Sequence, residues 1–167
     1  MLLGLAKLIG CPGGQLSFSL ELDFSDMVFG ATKPVQEPVR ASGAVKNTAG
    51  VLQLDGLIKA QIHGVCDRCT AEFDRTVEIP VHAVLETDAD SLDTDDLWTF
   101  PVEGDKVDLE EIIRTAFVLE MDSKMLCSED CKGLCCRCGA DLNHGPCQCK
   151  PEIDPRFAVL RQFLDET

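Results

Sequence analysis

Eight of the ten cysteines in this chain fall into four close pairs: Cys66-Asp-Arg-Cys69, Cys127-x3-Cys131, Cys135-x2-Cys138 and Cys147-x-Cys149. One turn can aim two thiolates at an ion, and tetrahedral coordination takes four, so four pairs point to two four-thiolate zinc sites. The pair at 66–69 has no cysteine near it in sequence and must find its partners far along the chain. No other feature constrains the topology as much. Cys11 and Cys136 are left over.

Three rival chemistries are weighed against zinc. The stretch Met1 to Ile9 is apolar but lacks a basic leading region and a small-residue cleavage site, and Gly10-Cys11-Pro12-Gly13-Gly14 ends it. It is too short to cross a bilayer, and no later apolar run approaches the roughly 20 residues a span needs. The expected setting is therefore a reducing cytoplasm with no membrane partner, where metal binding explains the cysteines better than disulfides do. The spacings match neither ferredoxin pattern, which argues against an iron–sulfur cluster. A redox-active Cys66-x2-Cys69 would open a helix, whereas an alternating strand pattern continues past it.

The ligand sets are less sharply defined than the pairs. Cys135-x2-Cys138-Gly139 reads as a zinc knuckle, in which glycine takes the positive φ that turns backbone N–H groups toward sulfur. A short polar loop then leads to Cys147 and Cys149, so these two pairs can close one site, leaving Cys66 and Cys69 for Cys127 and Cys131. His144, Cys136 and Cys11 stay open as alternative ligands.

Charge narrows the partner class. The formal net charge is −14, of which residues 66–126 supply −12, with 17 acidic and five basic side chains. Two sites filled by eight thiolates and two Zn²⁺ would add about −4 more. Such a molecule repels a phosphate backbone overall, which argues against DNA, and it attracts basic proteins. With eight Phe, one Trp and no Tyr, a surface of base-stacking rings is not expected. The local exception is the cysteine region, where Arg68, Lys132, Arg137, Lys150, Arg156 and Arg161 are available to form a small basic patch.

Period-two alternation marks four strands. Leu16 to Phe24, Val39 to Val45, Leu52 to Ile62 and Phe73 to Leu85 each place apolar residues at every second position, the pattern of antiparallel strands with one wet face. Asn47-Thr48-Ala49-Gly50 separates the second and third runs as a hairpin turn. Cys66 and Cys69 fall in the turn between the third and fourth. Residues 86–96 hold six acids and no base, predicting an exposed acidic loop. Leu97 to Phe100 form a short fifth strand. Asp108, with Glu111 three residues on, caps a helix whose Leu109, Ile112, Ile113, Ala116 and Phe117 make one stripe. Asp154-Pro155 opens a final helix with Phe157, Leu160 and Leu164 on its buried side. There is no nucleophile elbow or phosphate-cradling glycine loop, and four sulfurs per ion leave no position for an activated water, so catalysis is not expected.

The run Asn47 to Val51, followed by Cys66-Asp67-Arg68-Cys69 before a Phe73-containing strand, resembles the YceD family of bacterial large-ribosomal-RNA-subunit accumulation proteins. The tail is similar to that family's cysteine-rich subgroup. It runs Cys127-x3-Cys131-Lys132-Gly133-Leu134-Cys135-x2-Cys138-Gly139, then Leu142-Asn143 and Asp154-Pro155-Arg156-Phe157. Cys136 departs from the pattern, since proline is more usual there. The resemblance implies a non-enzymatic, cytoplasmic protein that supports accumulation of large-subunit (23S) rRNA. It carries over Cys66, Arg68 and Cys69 as the core motif, and the other cysteines only as subgroup features.

The expected fold is α+β and a single domain over 1–167. Residues 1–126 form an antiparallel sheet of about five strands with one covering helix, and 127–167 a zinc-stabilised segment ending in a helix. The expected ligands are Cys66, Cys69, Cys127, Cys131, Cys135, Cys138, Cys147 and Cys149, holding two zinc ions. The expected partner is a large-subunit precursor, met through a basic ribosomal protein or 23S rRNA, with Arg68, Lys132, Arg137 and Arg156 as contact residues. The alternative is a zinc-stabilised protein–protein adaptor with no ribosomal link.

Overall fold

The computed structural model describes residues 1–29, 32–88 and 98–149. The four alternating runs become β2 (Gln15–Leu22), β3 (Val39–Thr48), β4 (Val51–Val65) and β5 (Glu72–Glu86), paired in sequence as an antiparallel meander. A fifth strand, β6 (Thr99–Pro101), joins the outer edge of β5. Here the expectation of a wholly antiparallel sheet fails, because β6 runs parallel to β5. The register sets Thr99, Phe100 and Pro101 beside Val84, Leu85 and Glu86 in the same order, and parallel neighbours need a longer connection than a hairpin turn.

Three further elements had no clear sequence signal. β1 (Leu2–Gly4) pairs antiparallel with β7 (Lys106–Asp108) in a separate two-stranded sheet, and α1 (Ala6–Ile9) is a single helical turn. α2 (Leu109–Glu120) forms where the capping signal placed it, with the Asp108 carboxylate accepting the Glu110 N–H at 3.0 Å. Leu109, Ile112, Ile113, Ala116 and Phe117 are all buried. Beyond the helix, the Asp122 carboxylate accepts from Arg75 of β5 at 2.6 Å. Arg75 occupies an inward phase of its strand, between Phe73 and Val77, so an ionic latch replaces apolar packing where the helix ends. The expected final helix, with Phe157, Leu160 and Leu164, lies outside the described residues, as does the acidic stretch from residue 89 on.

One hydrophobic cluster joins the inner faces of β2 to β5 to α2, with Phe24, Leu54, Ile58, Ile62, Ile112 and Phe117 at its centre. In the sheet, Gly43 of β3 faces Gly56 of β4, and a Cβ at Gly43 would lie 2.2 Å from the Asp55 carbonyl oxygen. Phe18 of β2 stands opposite Gly43 and covers the gap left by the missing side chains.

The β3–β4 hairpin turns through Ala49 (φ 54°) and Gly50 (φ 98°), both in the left-handed region that a two-residue turn requires. Its anchor is Asn47, the one buried polar side chain among the described residues, 2% exposed. Asn47 Nδ2 donates to the carbonyls of Leu8 (2.8 Å) and Ile9 (3.2 Å), and its Oδ1 accepts from Gly50 N–H (2.9 Å). One amide thereby fastens α1 to the turn. Asn47→Ala would remove all three bonds, leaving Leu8 O with only the Cys11 N–H (3.1 Å), and is expected to cost about 1–3 kcal/mol in urea unfolding. An unchanged midpoint would show that water satisfies these groups instead.

Candidate metal centre

The β4–β5 hairpin is closed by Cys66-Asp67-Arg68-Cys69-Thr70-Ala71, and its backbone folds as a knuckle. The Cys66 N–H donates to Ala71 O (2.8 Å), the Thr70 N–H donates back to Cys66 O (2.8 Å), and Thr70 takes φ 59°. The segment Cys135-Cys136-Arg137-Cys138-Gly139-Ala140 repeats this geometry. Cys135 N–H donates to Ala140 O (2.8 Å), Gly139 N–H to Cys135 O (2.9 Å), and Gly139 has φ 70°. The shared pattern Cys-x-Arg-Cys-x-Ala was visible in the sequence as a short internal repeat and was not among the features read from it.

Two groups of four sulfurs result. Cys66, Cys69, Cys127 and Cys131 form one, and Cys135, Cys138, Cys147 and Cys149 the other, with all Sγ atoms of a group within 4.8 Å of one another. Sγ separations are 3.7 Å for Cys66–Cys131, 3.6 Å for Cys69–Cys127 and 3.5 Å for Cys135–Cys147. A disulfide would need about 2.05 Å. Four sulfurs about 2.3 Å from one tetrahedral ion stand about 3.8 Å apart, so the spacing suits a single ion, whereas a multi-iron cluster would hold its ligands further apart. The two tetrads can hold metal ions. Cys11 and Cys136 belong to neither, and both are exposed. His144 is also outside them, its imidazole 3.6 Å from Asp141.

The sites differ in burial. Cys66 (1% exposed), Cys69 (5%) and Cys131 (5%) form a small buried cluster with Phe73, Leu126 and Leu134 packed against it. In the second tetrad Cys138 is exposed and Cys135, Cys147 and Cys149 are half-buried.

The electrostatics of both are those of a cation site. Burial pushes the Cys66 thiol up, but the N–H groups of Cys127, Cys69 and Arg68 outweigh it and bring it down to about 6. Cys135 is brought down to about 6 by the N–H groups of Cys138 and Arg137 and by the neighbouring thiols. Cys127 is pushed up to about 12 by Cys66 and Cys69, and Cys149 to about 12 by Cys138 and burial. Each tetrad therefore has one thiol that ionises below neutrality and one that resists because negative charge already sits beside it. A divalent ion relieves that conflict.

Metal binding displaces whatever protons the thiols still carry, so apparent affinity is expected to fall as pH falls; Cys66 and Cys135 add to that competition only below about 6, where the fall steepens. A colorimetric chelator followed through the titration measures this. An affinity that does not change with pH would contradict the thiolate assignment.

The two residues between the first pair of ligands dock the incoming segment. Asp67 N–H donates to Met125 O and its carboxylate accepts Met125 N–H, both at 2.8 Å. Arg68 Nη1 donates to the carbonyls of Glu129 (3.1 Å) and Cys131 (2.9 Å), and Arg68 O accepts Leu134 N–H (3.0 Å). Arg68, expected at a partner surface, is exposed but directs its guanidinium at the backbone of its own chain. Lys132 and Arg137 are exposed on the cysteine segment, and Arg156 lies outside the described residues.

Residues 54–164 match the family profile described as large ribosomal RNA subunit accumulation protein YceD. The chain is 31% identical over 144 residues to the chloroplastic YCED homolog 1 of Zea mays, covering 68% of this chain and 49% of that protein. It is 29% identical over 176 residues to the Arabidopsis thaliana homolog of the same name, covering 85% and 55%. An uncharacterized protein of Mycobacterium tuberculosis is 32% identical over 117 residues, covering 69% and 56%. The chain thus spans about half the length of the curated relatives it matches. No solved structure matches it.

Proposed function

The chain belongs to the YceD family of large ribosomal RNA subunit accumulation proteins, and from that membership we propose that it is a non-catalytic factor in assembly of the large ribosomal subunit. The observation that carries this reading is the extent of the family match: residues 54–164 include both cysteine tetrads and the hairpin that holds the first. In this reading both tetrads take zinc, whose tetrahedral preference suits four thiolates and whose closed shell avoids redox chemistry. The ions hold the C-terminal segment on the β4–β5 hairpin and so build the surface that meets the maturing particle in the cytoplasm.

Charge supports a basic ribosomal protein as the direct contact. A net charge of −14 attracts lysine- and arginine-rich chains and opposes non-specific RNA binding. Any rRNA contact falls to the cysteine segment, where Lys132 and Arg137 are exposed and Arg156 follows in sequence. Among the described residues no helix is long and apolar enough to cross a membrane.

Depleting the protein in its own host is expected to lower large-subunit rRNA relative to small-subunit rRNA, with recovery when the intact chain is restored. Unchanged rRNA ratios would refute the assembly role. Sedimentation with none of the precursor particles would favour an adaptor unconnected to the ribosome.

A further inference from the structure

Only Lys132, Gly133 and Leu134 separate the last ligand of the first tetrad, Cys131, from the first ligand of the second, Cys135. All three are tied across the gap. Leu134 N–H donates to Arg68 O in the first knuckle at 3.0 Å, and Leu134 also bridges to Asp141. Gly133 O accepts Leu142 N–H at 2.9 Å. Gly133 has φ 73°, and a Cβ there would sit 2.9 Å from Arg68 O, so only glycine lets the two knuckles approach this closely.

Asn143 closes the connection. It lies in the loop between Cys138 and Cys147, both ligands of the second tetrad, yet its Nδ2 donates to Sγ of Cys131, a ligand of the first, at 3.4 Å. Its Oδ1 accepts Lys132 N–H at 2.7 Å, and the Asp141 carboxylate holds the amide in place at 2.7 Å. From this arrangement, and resting on the reading of both tetrads as metal sites, we propose that the two ions bind as one cooperative unit, with Asn143 as the positioning residue that couples them.

An N–H aimed at sulfur favours the thiolate, and a metal-bound Cys131 thiolate in turn fixes the Asn143 amide. Fixing Asn143 orders the loop that delivers Cys147 and Cys149, so the entropy of assembling the second site is partly met before its ion arrives. Linkage makes the effect reciprocal: a filled second site must tighten the first by the same factor, which for coupled sites is typically about 5–150-fold. The consequence is a threshold, with the segment passing from undocked to docked over a narrow range of free metal.

Titrating the reduced, metal-free full chain with Co²⁺, read by the sulfur-to-cobalt charge-transfer band and by native mass spectrometry, tests this. The expected result is a Hill coefficient above one, with little singly loaded protein. Cys138→Ser is expected to weaken the intact first site about tenfold. Asn143→Ala and Asn143→Asp, the latter keeping the acceptor for Lys132 N–H while losing the donor to sulfur, are expected to bind two ions without cooperativity. Stepwise loading in the unaltered chain, or first-site affinity unchanged in Cys138→Ser, would overturn the proposal. Absence of any charge-transfer band would instead remove the metal reading beneath it.

Discussion

Replacing Cys66 with serine is expected to release residues 125–149 from the hairpin while the sheet stays folded. The segment has little apolar surface of its own to hold it: Met125 and Cys131 are buried, but Leu126 and Leu134 only partly. Ordering so long a stretch of backbone costs more than burying these few side chains returns, and sulfur–metal bonds make up the difference. The sheet and α2 have a separate, larger core and do not depend on that contribution. Hydrogen exchange followed by mass spectrometry reads the outcome. Protection at the Leu134 and Met125 amides, which donate to Arg68 O and the Asp67 carboxylate across to the hairpin, is expected to disappear, while that at Ile58 and Ile62, and at Cys135 inside the intact second knuckle, is retained. Undiminished protection in the segment would mean that packing alone holds it.

Phe117→Ala is the second substitution expected to act strongly, and it strikes the other half of the molecule. Phe117 is fully buried and packs edge-on against Phe24, with ring centroids 5.4 Å apart, and against Phe29 at 6.2 Å. Its removal opens a cavity between α2 and the strands, at about 3–5 kcal/mol. Against a total stability of about 5–15 kcal/mol for a domain, the variant would be left marginal, with a much lower urea midpoint. Leu119→Ala, on the outward side of the same helix at 46% exposure, is expected to change stability by no more than about 0.5 kcal/mol. Equal effects of the two would mean that α2 is not seated as described.

Much of this layout is legible in the residues because burial leaves a period. Leu16, Phe18, Leu20 and Leu22 alternate with polar residues because only one face of β2 meets the core, and the same holds through β5. The Asp108 cap and the α2 stripe were legible for the equivalent helical reason. Strand direction leaves no such trace. Three residues at 99–101 cannot record that β6 runs parallel, since the path of the chain between β5 and β6 decides it. β1, β7 and α1 are too short to show periodicity.

At the metal centre, the cysteine pairs gave the tetrads because sulfur chemistry is local to the pair. What escaped was the work of the residues between them. Asp67 and Arg68 look like solvated charges in sequence, and only the fold brings the 125–134 backbone within their reach. Asn143 was noted as part of a family pattern, but its bond to Cys131 crosses between two sites that the sequence treats as separate.

Everything proposed for the C-terminal segment depends on sulfur–metal bonds joining it to the β4–β5 hairpin. Native mass spectrometry of the purified chain, set beside the mass of the denatured chain, tests that most directly. The account requires a native mass higher by two zinc ions less the protons they displace, and a denatured mass at which all ten cysteines remain thiols. A native chain carrying no metal, with its denatured mass reduced by the hydrogens lost to disulfide bonds, would contradict it.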